Sequence, residues 1–171
     1  MSTMINQVDN ANVYLNGKSF LGKAKTIKLP EFEVEFIEHD NLGLAGKIKL
    51  PGKINAMEGE ITWDGFYQDV AKLALNPFKT TQLMVRANVR TFNSQGETAE
   101  VPLVMTLNVI FNKVNLGEYK KEATEYGMSF QAQSIKQVLD GQEVLFYDAF
   151  SNQYRVAGSD ILNKFRSNLG A

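Results

Sequence analysis

Few residues in this chain have types that could carry chemistry, and their spacing limits what they could do. His39 is the single histidine, and there is no cysteine among the 171 residues. A Ser-His-Asp or Cys-His centre would have to be built on His39, which sits beside a polar, glycine-containing stretch and reads as a solvated loop residue. A zinc site draws on several imidazole or thiolate ligands, and one histidine cannot supply them. Gly17-Lys18-Ser19 matches the end of a phosphate-binding loop, but that motif requires a glycine where Asn12 stands. Gly43 and Gly46-Lys47 fail on spacing as well. Glu31, Glu33, Glu35 and Glu38 supply four carboxylates, yet a regular charged strand face is usually solvated or paired across a sheet, and Lys47, Lys49 and Lys53 lie within one hairpin's reach. No catalytic residue, metal ligand or cofactor site is expected, and the chain does not read as an enzyme.

The composition narrows the partners. Eighteen Lys and Arg stand against nineteen Asp and Glu, a formal net charge of −1. That leaves no positive excess to gather phosphates by counterion release, so a dedicated nucleic-acid binder is not expected. The most apolar stretch, residues 101–111, is interrupted by Thr106 and is far shorter than the roughly 20 residues of a membrane-crossing helix, so no membrane insertion is expected. The first residues carry neither a basic nor an apolar leader region, and cytoplasmic synthesis and residence are expected. An apolar share of 44% and a length of 171 suit one globular domain spanning residues 1–171.

The elements that would hold any site are mostly strands. Residues 12–15 and 18–21 flank Asn16-Gly17, the dipeptide of a tight hairpin turn. Alternation runs from Ala24 to Leu29, pauses at Pro30 and resumes as Glu31-Phe32-Glu33-Val34-Glu35-Phe36, which predicts a strand with one acidic face. Residues 39–52 carry Gly43, Gly46, Pro51 and Gly52 and read as a long two-armed excursion, with residues 47–50 able to continue as a strand. Met57, Gly59, Ile61 and Trp63 share one face of a half-buried strand. A second long hairpin follows, with Leu83, Val85, Ala87 and Val89 on one face and a turn at residues 93–96. Residues 117–123 read as a polar loop, Met128, Phe130 and Ala132 alternate, and Asp140-Gly141 turns the chain into residues 143–147. Helical spacing occurs only at Phe66, Val70, Leu73 and Ala74, and at Ile161, Leu162 and Phe165 after a cap at Ser159 or Asp160. The expected fold is mainly β (α+β), with seven or eight strands, two short helices and long projecting hairpins.

Several stretches resemble the major tail tube family of contractile-tailed phages and R-type pyocins. They are Asn12-Val13-Tyr14-Leu15-Asn16-Gly17-Lys18-Ser19-Phe20 with Gly22 and Leu29-Pro30, then Leu139-Asp140-Gly141-Gln142-Glu143-Val144 with Asp148, and the ending from Gly158 to Gly170. No single motif is specific; the order and the terminal pattern of Asp160, Leu162, Arg166, Leu169 and Gly170 carry the weight. Asp40-Asn41-Leu42-Gly43-Leu44-Ala45 departs from the family, which often has an Arg followed by small residues and Met there.

The resemblance implies a β-sandwich-like or partial-barrel tail tube subunit. It also implies a homo-hexameric ring that stacks into a hollow tube, and as partners a tail sheath protein, tube initiator or baseplate proteins and a tail terminator. DNA would pass through without specific binding, and the protein would reside in the host cytoplasm during assembly and then in a virion tail or tailocin. A secretion-system inner tube or another ring-forming β-domain shares that architecture. A carbohydrate-binding sandwich would instead use exposed aromatics such as Trp63, Tyr67 or Tyr154, but Trp63 shares its strand face with Met57 and Ile61, which favours packing. Three site expectations follow: Glu31, Glu33, Glu35 and Glu38 facing the lumen; Leu42, Leu44, Ile48 and Leu50 on a ring-stacking loop; and Leu162 and Phe165 packing the C-terminal segment.

Overall fold

The computed structural model describes residues 3–171. In chain order its elements are β1 (Ile5–Leu15), β2 (Lys18–Ser19), β3 (Ala24–Lys28), β4 (Val34–His39), β5 (Ile48–Ile54), β6 (Met57–Trp63), α1 (Gln68–Ala74), β7 (Thr81–Asn93), β8 (Gly96–Val114), β9 (Tyr126–Leu139), β10 (Gln142–Asp148), β11 (Gln153–Val156), β12 (Ser159–Asp160) and α2 (Asn163–Leu169). The protein is mainly β, but with twelve strands among the described residues rather than seven or eight. The additional strands include β11 and β12, of four and two residues, too short to leave a periodic signal, whereas β2 is the second arm of the expected Asn16-Gly17 hairpin.

The main sheet runs β12-β11-β10-β9-β8-β7-β1-β2 and is antiparallel throughout. Local turn chemistry sets much of its register. Asn16 and Gly17 take φ of 47° and 81°, and Asp140 and Gly141 take 48° and 77°, the paired positive values a tight hairpin demands. β9 organises the rest. One edge pairs with β8, while the other pairs with β6 along residues 126–132 and with β10 along residues 134–139. The sheet therefore forks, and the β6–β3 arm continues from β9 to pack over β1, β7 and β8.

The core fills the space between that arm and the sheet. The inward positions of β6, all four residues from Met57 to Trp63 read from the alternation, are buried, as are Leu83, Val85 and Val89 of β7 and Met128, Phe130 and Ala132 of β9. α1 closes one end with Val70, Ala71 and Ala74 before Asn76-Pro77 stops it. Trp63 lies edge-on to Phe20 and Tyr67, at centroid separations of 5.4 and 6.2 Å. Full burial of side chains such as Phe130 and Trp63 stabilises by about 1.5–3 kcal/mol each. The barrel is left open: β3 pairs only with β6, and residues 5–12 of β1 pair only with β7.

Gly59 shows how tightly β6 is held between its neighbours β3 and β9. It stands directly opposite Phe130, whose ring covers it, and a Cβ here would lie 2.8 Å from the Lys28 carbonyl oxygen and inside contact distance of that ring. Gly59→Ala should overpack the core and cost about 1–3 kcal/mol. Urea unfolding of the unassembled subunit should show a lowered midpoint at unchanged slope. An unaltered midpoint would mean that Phe130 and the Lys28 carbonyl do not pack this closely on Gly59.

Candidate assembly surfaces

β4 and β5 form a sheet of their own, paired with no other strand among the described residues. The chain leaves the core after β3, rises through this hairpin and returns to β6, with the root closed by the Asn55 N–H donating to the Glu33 carbonyl at 2.9 Å. Two strands have no third layer against which to bury either face. Phe36, Ile37, Leu42, Leu44, Ile48 and Leu50 accordingly stand in water, with Leu42 at the tip wholly exposed. The four residues named for a stacking loop thus share one projecting hairpin, joined by Phe36 and Ile37, which sequence reasoning missed. Their signal was the alternation before Glu38, read there only for its acids. His39 is half-buried at the end of β4, opposite Ile48, rather than in a loop.

The four glutamates do not share one strand face, as the alternation suggested. Glu31 and Glu33 lie on the connector before β4, which begins only at Val34. Phe32 points back to the molecule instead and meets Tyr147 and Tyr154 at 5.7 and 5.3 Å. That contact takes the connector out of extended pairing. Glu31 and Glu33 border one open concavity together with Glu58 and Glu60 of β6 and with Lys28. Glu35 is exposed on β4, and Glu38 is ion-paired with Lys47 at 2.9 Å and sits opposite Lys49. Among the described residues, no group of three acidic or histidine side chains is placed to hold a metal ion.

The C-terminal segment differs from its expected geometry. Ser159 and Asp160 form β12 against β11 and do not cap α2, whose N-cap is Leu162 without a side-chain hydrogen bond. Asp160 nevertheless accepts from the Leu162 N–H and from the Arg166 guanidinium, and Arg166 also donates to the Asn152 carbonyl at 3.0 Å. The Arg166 hydrogen bond holds the Asp160 carboxyl below the usual carboxylate range. Gly170, at φ 72°, ends the helix in the left-handed conformation. Leu162 is half-buried, while Phe165 remains 48% exposed beside Ile161 and Leu169, so α2 buries no side chain within its own subunit. Of the aromatics considered for a carbohydrate site, Trp63 is core, and Tyr67 and Tyr154 are half-buried.

A family profile described as Phage tail tube protein FII matches residues 5–170. The chain belongs to that family. The tail tube protein of Escherichia phage P2 is 28% identical over 163 residues, covering 93% of this chain and 94% of that protein. The chain is therefore a structural subunit of a phage tail tube. Its fold also resembles subunits solved by cryo-EM in the PVC extracellular contractile injection system. One, from the sheath/tube terminator, has TM-score 0.54 at 12% identity over 75% of this chain and 93% of that chain. Another, from the extended sheath-tube complex, has TM-score 0.54 at 12% identity over 75% and 88%. The tube-terminating cap of the anti-feeding prophage gives TM-score 0.52 at 14% identity over 75% and 87%.

The lowered Asp160 pKa fixes the pH response of the tail tube subunit's C-terminus. A depressed carboxylate contributes stability above its unfolded value of about 4, and that contribution is lost as pH falls through the folded value. Amide protection across α2 should therefore weaken below about pH 4 in the wild type. In Arg166→Ala it should be weak already at neutral pH. A variant that keeps wild-type protection and pH dependence would contradict this latch.

Proposed function

We propose that this tail tube protein polymerises as stacked six-membered rings into the hollow inner tube of a contractile tail or tailocin. Residues 1–171 act as one tail tube domain, and the β4–β5 hairpin makes the contacts between rings. The observation that carries this reading is the hairpin itself, a separate two-stranded sheet bearing six exposed large apolar side chains. Apolar surface of that extent, rimmed by charged residues, marks a protein interface.

The open edges favour lateral closure as well. Unpaired backbone along β1 and β3 invites strands from another chain, and a closed ring satisfies every edge with neighbouring copies. Phe165, with Ile161 and Leu169, then packs α2 against an adjacent subunit. A sheath protein surrounds the tube, initiator or baseplate proteins start it and a terminator ends it. Similarity to chains of sheath-tube and terminator assemblies supports the sheath and terminator assignments. The role is structural, without a reaction of its own, and assembly takes place in the host cytoplasm.

Glu31, Glu33, Glu35 and Glu38 face the bore in this reading, where negative charge keeps passing DNA from binding. Glu38 contributes least, since Lys47 already neutralises it. Tubes carrying Glu31→Lys and Glu33→Lys should retain DNA in a salt-dependent way. Tubes that pass DNA as freely as wild type would remove these acids from the lumen wall.

Replacing residues 40–46 with a short Gly-Ser turn tests the stacking role. The replaced tip is fully exposed, so the variant should stay folded and soluble yet form no tubes in negative-stain images. Tubes of normal length would contradict the proposal, and so would outright unfolding, since that would make the hairpin part of the monomer's own stability.

A further inference from the structure

The end of the subunit opposite the hairpin carries an apolar pocket. It opens between α1 and the β8–β9 ends, encloses about 80 Å³, and is lined by Trp63, Phe66, Leu75, Leu116, Tyr126 and Met128 among others. Phe66, Leu75 and Leu116 remain 58–70% exposed around its mouth. Trp63 is 1% exposed, and its indole Nε1–H has no acceptor among the described residues. A buried donor left without a partner costs about 1–3 kcal/mol, which makes an absent acceptor worth seeking.

The hairpin tip has the complementary features. Leu42 and Leu44 are apolar projections without a cavity to fill. The turn makes one internal backbone bond, from the Leu44 N–H to the Asn41 carbonyl, and leaves the Leu42 and Gly43 carbonyls without partners among the described residues.

Position along the chain makes the fit directional. The hairpin is rooted at Asn55, next to the Met57 end of β6, and the pocket opens at the Trp63 end of the same strand. A projection at one end and a cavity at the other cannot meet within one copy, but they meet head to tail between successive copies. We infer that the pocket beside α1 is the socket for the β4–β5 tip of a second copy of this chain, with Leu42 and Leu44 entering it. This rests on the stacked-ring reading. It adds the receiving surface, which that reading leaves unassigned.

Because the chain has no cysteine, two introduced thiols can report the contact. Assembled tubes of Leu42→Cys/Leu116→Cys should give a ladder of disulfide-linked oligomers on mild oxidation. Leu42→Cys/Val144→Cys, with the second thiol on β10, should give none. If wild-type protein forms no tubes, the stacked-ring reading fails. If it forms tubes but the first pair gives no ladder, the socket is overturned and stacking survives. The single tryptophan gives a readout that needs no variant: assembly should shift Trp63 emission, and an unchanged spectrum in wild-type tubes would also overturn the inference.

Discussion

A two-stranded hairpin cannot bury its own side chains, and this constraint governs how the molecule must be completed. Among the described residues β4 and β5 have no third strand, and the large apolar groups Phe36, Ile37, Leu42, Leu44, Ile48 and Leu50 remain in water while the subunit is alone. Covering these six side chains, five about half exposed and Leu42 wholly so, would release on the order of 5–10 kcal/mol. Association costs a comparable 4–15 kcal/mol in lost freedom, so a single hairpin contact is near balance. Binding becomes decisive when several such contacts form at once, as between rings. That arithmetic favours cooperative polymerisation over isolated pairs.

The remainder of the fold is a platform for this hairpin. β9 pairs along both edges and fixes the β6 arm over the sheet, and Gly59 lets Phe130 lie flat beneath it. The hairpin is inserted between β3 and β6, so its root inherits the rigidity of that arm. α2, by contrast, is held by a charged latch between Asp160 and Arg166 and by little burial. The two ends of the chain's order of stability thus have different physical origins, packing in one case and exposed polar contacts in the other.

The sequence was most legible where local chemistry and tertiary structure agree. Alternation along β6, β7 and β9 identified the buried faces, and Asn16-Gly17 and Asp140-Gly141 announced their turns. It misled at residues 31–33, where perfect alternation is not a strand because Phe32 packs on Tyr147 and Tyr154 from a later part of the chain. β11 and β12 were overlooked because short, half-exposed strands carry no period. The pocket had no sequence signature at all. Trp63, Leu116 and Tyr126 converge only through the pairing of β6 with β9 and the packing of α1, and an unpartnered indole N–H is visible only in three dimensions.

The central claim is that the subunit is incomplete until its hairpin is covered by another copy. Cryo-EM of the purified protein, with no other tail component present, tests it most directly. The account predicts hollow tubes of stacked six-membered rings, with density for each β4–β5 hairpin running into the adjoining ring. Dispersed monomers at high concentration, or rings whose hairpins project freely into solvent, would contradict it.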